Sequence, residues 1–382
     1  MRILLPPCLT AVLALVPAFL SAQVREMNSE FLEDRVAPTF SAAETEDLSA
    51  ILKADQKPFT LTMSLSPSAG YDSNVIGLGE GLPLPEGVSR QGGAYSQVAG
   101  NIALDWKSLP VNDVSAHEIT VGYKYTQTFH EEFSGYDLGD HTWNVLYIHA
   151  MDDYWSGRLG FEDKYTTVDG HSFNNKVTLR PAVRFVAGKY LEDLGSVTTE
   201  VAYAFSLTDY AISPSSPFRV KDADISRVEL SETIVPKIWK DAGTKIVLTY
   251  MHFWNEAEGS DYVYQRNRWQ FSIETRLSKD AKSRWHDVTA SCHYIHNVDR
   301  YDHPNSNAGA AGFAFARRAY RDDVNPAISF DVLKYPETKT PKLSCNAQYH
   351  YIRDNSNIPI FNTVQHQVEF GVTYTFAELR WK

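Results

Sequence analysis

The stretch Thr363 to Phe376, TVQHQVEFGVTYTF, constrains the fold of this chain more than any other. Val364, His366, Val368, Phe370, Val372, Tyr374 and Phe376 fall on one face, and Gln365, Gln367, Glu369, Gly371, Thr373 and Thr375 on the other. Successive side chains of a β-strand point to opposite faces, so the pattern predicts a strand with one apolar and one polar surface. The usual strand has about 5–6 residues, whereas a tilted membrane-crossing strand needs about 9–11. One such strand also suits a soluble sandwich. Recurrence of the pattern along the chain favours a barrel.

It does recur. Ile119, Val121, Tyr123 and Tyr125 alternate with Glu118, Thr120, Gly122 and Lys124, and residues 176–185, 197–207 and 342–351 read the same way. Strand-like segments lie near 59–69, 94–107, 116–129, 141–151, 154–167, 172–187, 196–210, 224–236, 244–255, 262–277, 284–297, 323–335, 341–353 and 363–377, with weaker alternation in 224–236 and 323–335. The expected fold is all-β: a closed antiparallel transmembrane barrel of about fourteen strands, within a range of twelve to sixteen, over residues 58–382. The hydrophobic fraction of 43% fits, because only one face of each strand meets lipid.

Two segments precede it. Residues 1–22 read as a secretory signal, with Arg2 before a largely apolar Ile3–Leu20 and small residues at Ser21-Ala22. Its removal takes the net charge from -11 to -12, which gives nucleic acid no basis as a partner. No run of about 18 apolar residues follows, so no transmembrane helix is expected. Residues 23–57 read as a periplasmic segment with one short helix near 42–54, started by the capping box Ser41-Ala42-Ala43-Glu44.

Connections and aromatics set the orientation. Asp152-Asp153, Lys240–Gly243 and Lys279–Lys282 read as tight turns, and 72–93, 211–223 and 299–321 as long loops. Short inner turns and long outer loops are the rule for such barrels. Trp106, Trp155, Trp239, Trp285, Tyr335 and Trp381 then collect at the periplasmic end. Tyr125, Trp143, Tyr165, Tyr210, Trp254, Tyr262, Tyr294 and Tyr351 collect at the outer end, with Trp269 nearer mid-strand. Two aromatic belts are what membrane interfaces select.

The first strand exits through Gly70-Tyr71-Asp72-Ser73-Asn74-Val75, residue types suited to turn chemistry. With this GYDSNV exit, a long following loop and amphipathic strands to an aromatic C-terminus, residues 58–382 resemble the β-barrel porins of Gram-negative outer membranes. The resemblance implies an outer-membrane barrel that lies in lipid, is handled by the barrel-assembly machinery through its C-terminal strand, and admits a small polar solute or saccharide. The chain departs from the common pattern by adding Ala377–Lys382 after Phe376.

The polar face supplies the candidate chemistry. Asp105, Lys124, Arg158, Glu162, Lys164, Lys176, Arg180, Arg184, Glu200, Arg268, Glu274, Arg276, Lys342 and Glu369 are expected to face the lumen, since isolated charge in lipid is costly. They either pair across strands and fill the barrel, or line a pore and tune its selectivity. Lys176, Arg180 and Arg184, with Arg158 and Lys164 one strand earlier, form a candidate anion-attracting strip. Catalysis is not expected: His303-Pro304-Asn305-Ser306 differs from the strand-borne His and Ser of outer-membrane lipid hydrolases in spacing and setting. His293, His296 and His303 lack metal-ligand spacing, and Cys292 and Cys345 read as small hydrophobes. No cofactor is implied. The competing class is a plugged structural or surface-display barrel.

Overall fold

The computed structural model describes residues 59–79, 84, 91–108, 116–187, 195–210, 222–237, 243–278, 287–304, 315–334 and 341–381. The expected signal, the helix near 42–54, Trp239 and Trp285 lie outside the described residues.

Fourteen antiparallel strands close into one barrel: β1 (Phe59–Asp72), β2 (Gly93–Lys107), β3 (Ala116–His130), β4 (Leu138–Ala150), β5 (Trp155–Val168), β6 (His171–Val186), β7 (Gly195–Asp209), β8 (Ala223–Pro236), β9 (Lys245–Ala257), β10 (Tyr264–Arg276), β11 (Val288–Pro304), β12 (Ala316–Lys334), β13 (Pro341–Ser356) and β14 (Thr363–Trp381). Each strand pairs with its sequence neighbours, and β1 pairs with β14, so no edge is left. Closure satisfies every ladder, which the membrane interior demands of any spanning sheet.

The two faces of the wall follow the alternation. Outward positions such as Val121, Leu159, Leu179, Val183, Val201, Leu230 and Phe370 are exposed apolar side chains that meet lipid. Inward positions such as Arg158, Glu162, Arg184, Arg227 and Arg268 are buried although charged. This inverts a soluble core and marks a transmembrane barrel.

Two expectations are corrected. The interval read as a loop over 299–321 is strand at both its ends, because β11 reaches Pro304 and β12 begins at Ala316. In ARRAYRDD the buried positions are Arg317, Ala319, Arg321 and Asp323. Charge belongs on that face because it is the lumen, so a charged run is no loop signal here. The contrast of loop lengths is also weaker than expected. At the end read as outer, β5 and β6 join through Asp169-Gly170 alone, while at the other end Arg276 to Val288 is as wide an interval as Pro304 to Ala316. Asp169 (φ 52°) and Gly170 (φ 73°) both adopt left-handed backbone, as the tightest hairpins require.

The seam between β1 and β14 carries its own devices. The added C-terminal residues continue the ladder, Phe59 opposite Trp381 and Thr60 opposite Arg380, with a bulge at Met63/Ser64. At the other end Asp72 is fully buried and accepts hydrogen bonds from Gln365 Nε2 (2.7 Å), Gln367 Nε2 (2.9 Å) and the Asn74 backbone N–H (2.9 Å). The Asn74 side chain binds both the N–H and the carbonyl of Leu78. The GYDSNV exit is therefore turn chemistry, as expected, and also a clasp on the last strand. Gly70 makes room beside it. Tyr95 crosses over Gly70 to donate to Glu369 on β14 (2.9 Å), and a Cβ at residue 70 would collide with the Val368 carbonyl oxygen and stand 2.7 Å from the tyrosine ring.

Candidate functional site: the charged wall of the lumen

The inward faces of β4 to β8 bring together most of the residues singled out from sequence. Ala182 and Ala202, opposite one another in register, leave room on this wall for long charged side chains to lie flat. Arg180 occupies the centre. Its guanidinium donates to Glu200 Oε1 on β7 (2.7 Å) and, through Nε and Nη2, to Glu229 Oε2 on β8 (3.0 and 2.7 Å). Arg158 on β5 reaches the other Glu200 oxygen (3.0 Å), and Arg227 on β8 pairs with the other Glu229 oxygen. The result is a chain of alternating charge, Arg158–Glu200–Arg180–Glu229–Arg227, laid across four strands. Arg184 stands opposite Glu200 in register and is buried. Lys164 pairs with Asp140 Oδ1 on β4 (3.2 Å) and lies opposite Lys176, with Glu162 buried on the same face.

Pairing across strands is thus extensive, yet the wall is not neutral. Its inward cations are Arg158, Lys164, Lys176, Arg180, Arg184 and Arg227; its inward anions are Asp140, Glu162, Glu200 and Glu229. Six against four leaves two positive charges in excess. In a confined, low-dielectric-walled space such an excess raises the local concentration of counter-ions.

The other candidates stand apart from this cluster. Lys124 on β3 and Glu274 and Arg276 on β10 face inward and are exposed, and Glu369 on β14 is tied to Tyr95. Sequence reasoning missed Arg227 and Glu229, although their i, i+2 spacing against outward Val228 and Leu230 was a usable signal. Of a second charged wall it named only Arg268. There Arg266 makes a fork with Asp299 (2.7 Å to each oxygen), Arg268 donates to Asn297 (2.8 Å), and Arg317 lies between the rings of Tyr301 and Phe361, 4.4 Å from each centroid.

Of the interface aromatics, Trp143, Trp155 and Trp254 are exposed on the outer face, and Trp106 is partly covered on β2. Tyr210, expected in a belt, is instead buried edge-on against Phe173 (5.5 Å). Trp269 packs with Tyr250 and His296. His293 and His296, an odd and an even position of β11, face opposite sides of the wall and cannot share a ligand. Among the described residues, no group of three or more His, Cys, Asp or Glu side chains could hold a metal, and Cys292 and Cys345 are free thiols.

No protein-family model and no curated protein matches the chain. Among solved structures it is similar to OccAB1 of Acinetobacter baumannii, with 8% identity and a TM-score of 0.44, covering 84% of this chain and 97% of that one. It is also similar to the outer membrane protein OprD of Pseudomonas aeruginosa, with 10% identity and a TM-score of 0.41, covering 85% and 94%. These likenesses are partial, and no family membership follows from them.

Proposed function

We propose that the chain is an outer-membrane barrel that lets small polar solutes or saccharides pass through its lumen, with a local preference for anions at the β4–β8 wall. The observation that carries this reading is the charge excess on that wall: paired carboxylates hold the arginines in place without cancelling them. A barrel of fourteen strands is also wider than the eight-stranded kind that side chains alone can fill. The same reading puts the protein in the outer membrane of a Gram-negative bacterium, placed there by the barrel-assembly machinery through β14, with Asp72–Gly93 at the outer end.

A second reading has its own support. In the Arg158-to-Arg227 chain and in the Arg266–Asp299 fork every carboxylate is paired with arginine, as a plugged structural barrel would need. One experiment separates the two. Purified full-length protein in a planar bilayer gives stepwise single-channel conductance if the lumen is open. A folded protein that never conducts, verified by a gel-mobility shift on heating, leaves the plugged barrel as the answer.

A further inference from the structure

The lipid-facing surface is not uniformly apolar. A groove of about 320 Å³ opens on the outer face of β8 to β11, lined chiefly by Leu230, Leu248, Tyr250, Trp269, Phe271 and Tyr294. Its volume lies at the lower end of ordinary ligand pockets, about 300–1,000 Å³. Glu232 closes the β8 end, with its carboxylate held by Thr199 Oγ1 (2.8 and 2.9 Å).

The β11 end meets a polar cluster that faces the same way. Tyr294 lines the groove and donates its hydroxyl to Asp322 Oδ1 (2.7 Å), and the His296 Nδ1–H donates to the same oxygen (2.8 Å). Arg353, exposed on β13, stands directly opposite Asp322 in register. On the other side of Trp269 the arrangement repeats. Tyr250 and His252 both donate to Asn267 Oδ1 (2.7 and 2.8 Å). Each imidazole is fixed through Nδ1, so its Nε2 has no protein partner among the described residues. Trp269 joins groove and cluster, its ring 5.6 Å from Tyr250 and 5.8 Å from His296.

Polar groups on a lipid face are costly unless something polar meets them. Asp322 is already taken by Tyr294 and His296, so Arg353 supplies the donors of the site, while each imidazole, its Nδ1 proton already given, offers Nε2 as an acceptor. We infer that this groove and cluster are one binding site for a single membrane lipid, an acyl chain along Trp269 and Phe271 and a phosphate-bearing headgroup at Arg353 beside His296. An anionic phosphate suits the Arg353 guanidinium and headgroup hydroxyls suit the His296 Nε2 acceptor, and a narrow apolar groove suits a flexible chain rather than the flat self-complementary patch a second copy would need. The inference concerns the outer face alone and does not depend on passage through the lumen.

The test is native mass spectrometry of full-length protein, delipidated in detergent and offered two lipids of equal chain length: phosphatidylglycerol and the phosphate-free monogalactosyldiacylglycerol. One phosphatidylglycerol per barrel should be retained, at least several-fold over the galactolipid. Arg353→Gln should abolish the preference, and Trp269→Ala should abolish retention of both lipids. Both variants should keep the heat-modifiable mobility and the conductance of the parent, since neither side chain faces the lumen. Equal retention of the two lipids, retention unchanged by Trp269→Ala, or a protein dimer in place of a lipid adduct would overturn the assignment.

Discussion

Replacing Arg180 and Arg184 together with glutamine gives the sharpest test of the lumen wall. The variant should fold, because each carboxylate keeps a partner: Glu200 retains Arg158, and Glu229 retains Arg227. The excess of two positive charges falls to zero, so anion preference should vanish rather than invert. A unit charge about 8 Å from a passing ion contributes about 0.5 kcal/mol in water. Screening at physiological salt, with a Debye length of about 8 Å, reduces that to about 0.2 kcal/mol. Two charges act oppositely on anion and cation, giving a combined change of about 0.8 kcal/mol, or roughly a three- to fourfold fall in the permeability ratio. Reversal potential in a KCl gradient across a planar bilayer measures it. Glu229→Gln should move the same quantity the other way by about half, since it removes one negative charge. A folded, conducting double variant with the parent reversal potential would refute the reasoning, and so would two shifts of the same sign.

Three further outcomes follow from the wall and its seam. Asp72→Ala strips the acceptor from two glutamines and a backbone N–H in a fully buried site, and should cost about 1–3 kcal/mol per orphaned donor at most; a lower temperature for the heat-induced mobility shift reports it. Gly70→Val drives a branched side chain into the Val368 carbonyl and the Tyr95 ring, so the heat-modifiable band should be lost or greatly reduced, whereas Gly100→Ala, with open space around its Cβ, should be neutral by the same gel. Gly170→Val forces a β-branched residue to φ 73°, at about 1–2 kcal/mol, and should lower the urea midpoint of unfolding without changing conductance.

The strands were legible because lipid and lumen impose one rule on every one of them. Alternation located β1 through β14 to within a few residues except where the inward face is most charged. At Arg317–Arg321 the inward positions are arginines flanking Ala319, and a rule tuned to loops takes such a run for a loop, whereas at Arg227–Glu229 the strand over 224–236 was read but its alternation was weak. Which inward charges meet was not legible. Arg180 and Glu229 lie 49 residues apart, and their contact depends on register across two strand pairs, which no local pattern carries. Turn residues marked the GYDSNV exit, but its grip on Gln365 depends on the closure of the whole sheet.

That grip has a kinetic consequence. Thirteen of the fourteen strand pairings join sequence neighbours and can form by adding one hairpin to the next. The β1–β14 pairing alone joins positions such as Asp72 and Gln365, 293 residues apart. The length-dependent part of closing so long a loop is about 5 kcal/mol, nearly all of it already met once the intervening strands have assembled in order. Closure is therefore the highest-contact-order event of folding and the natural last step. A barrel stalled before it would display two unpaired edges, with Asp72 and its two glutamines on opposite rims of the gap, so deuterium exchange at the amides of Ser73 and His366 times the completion of the fold.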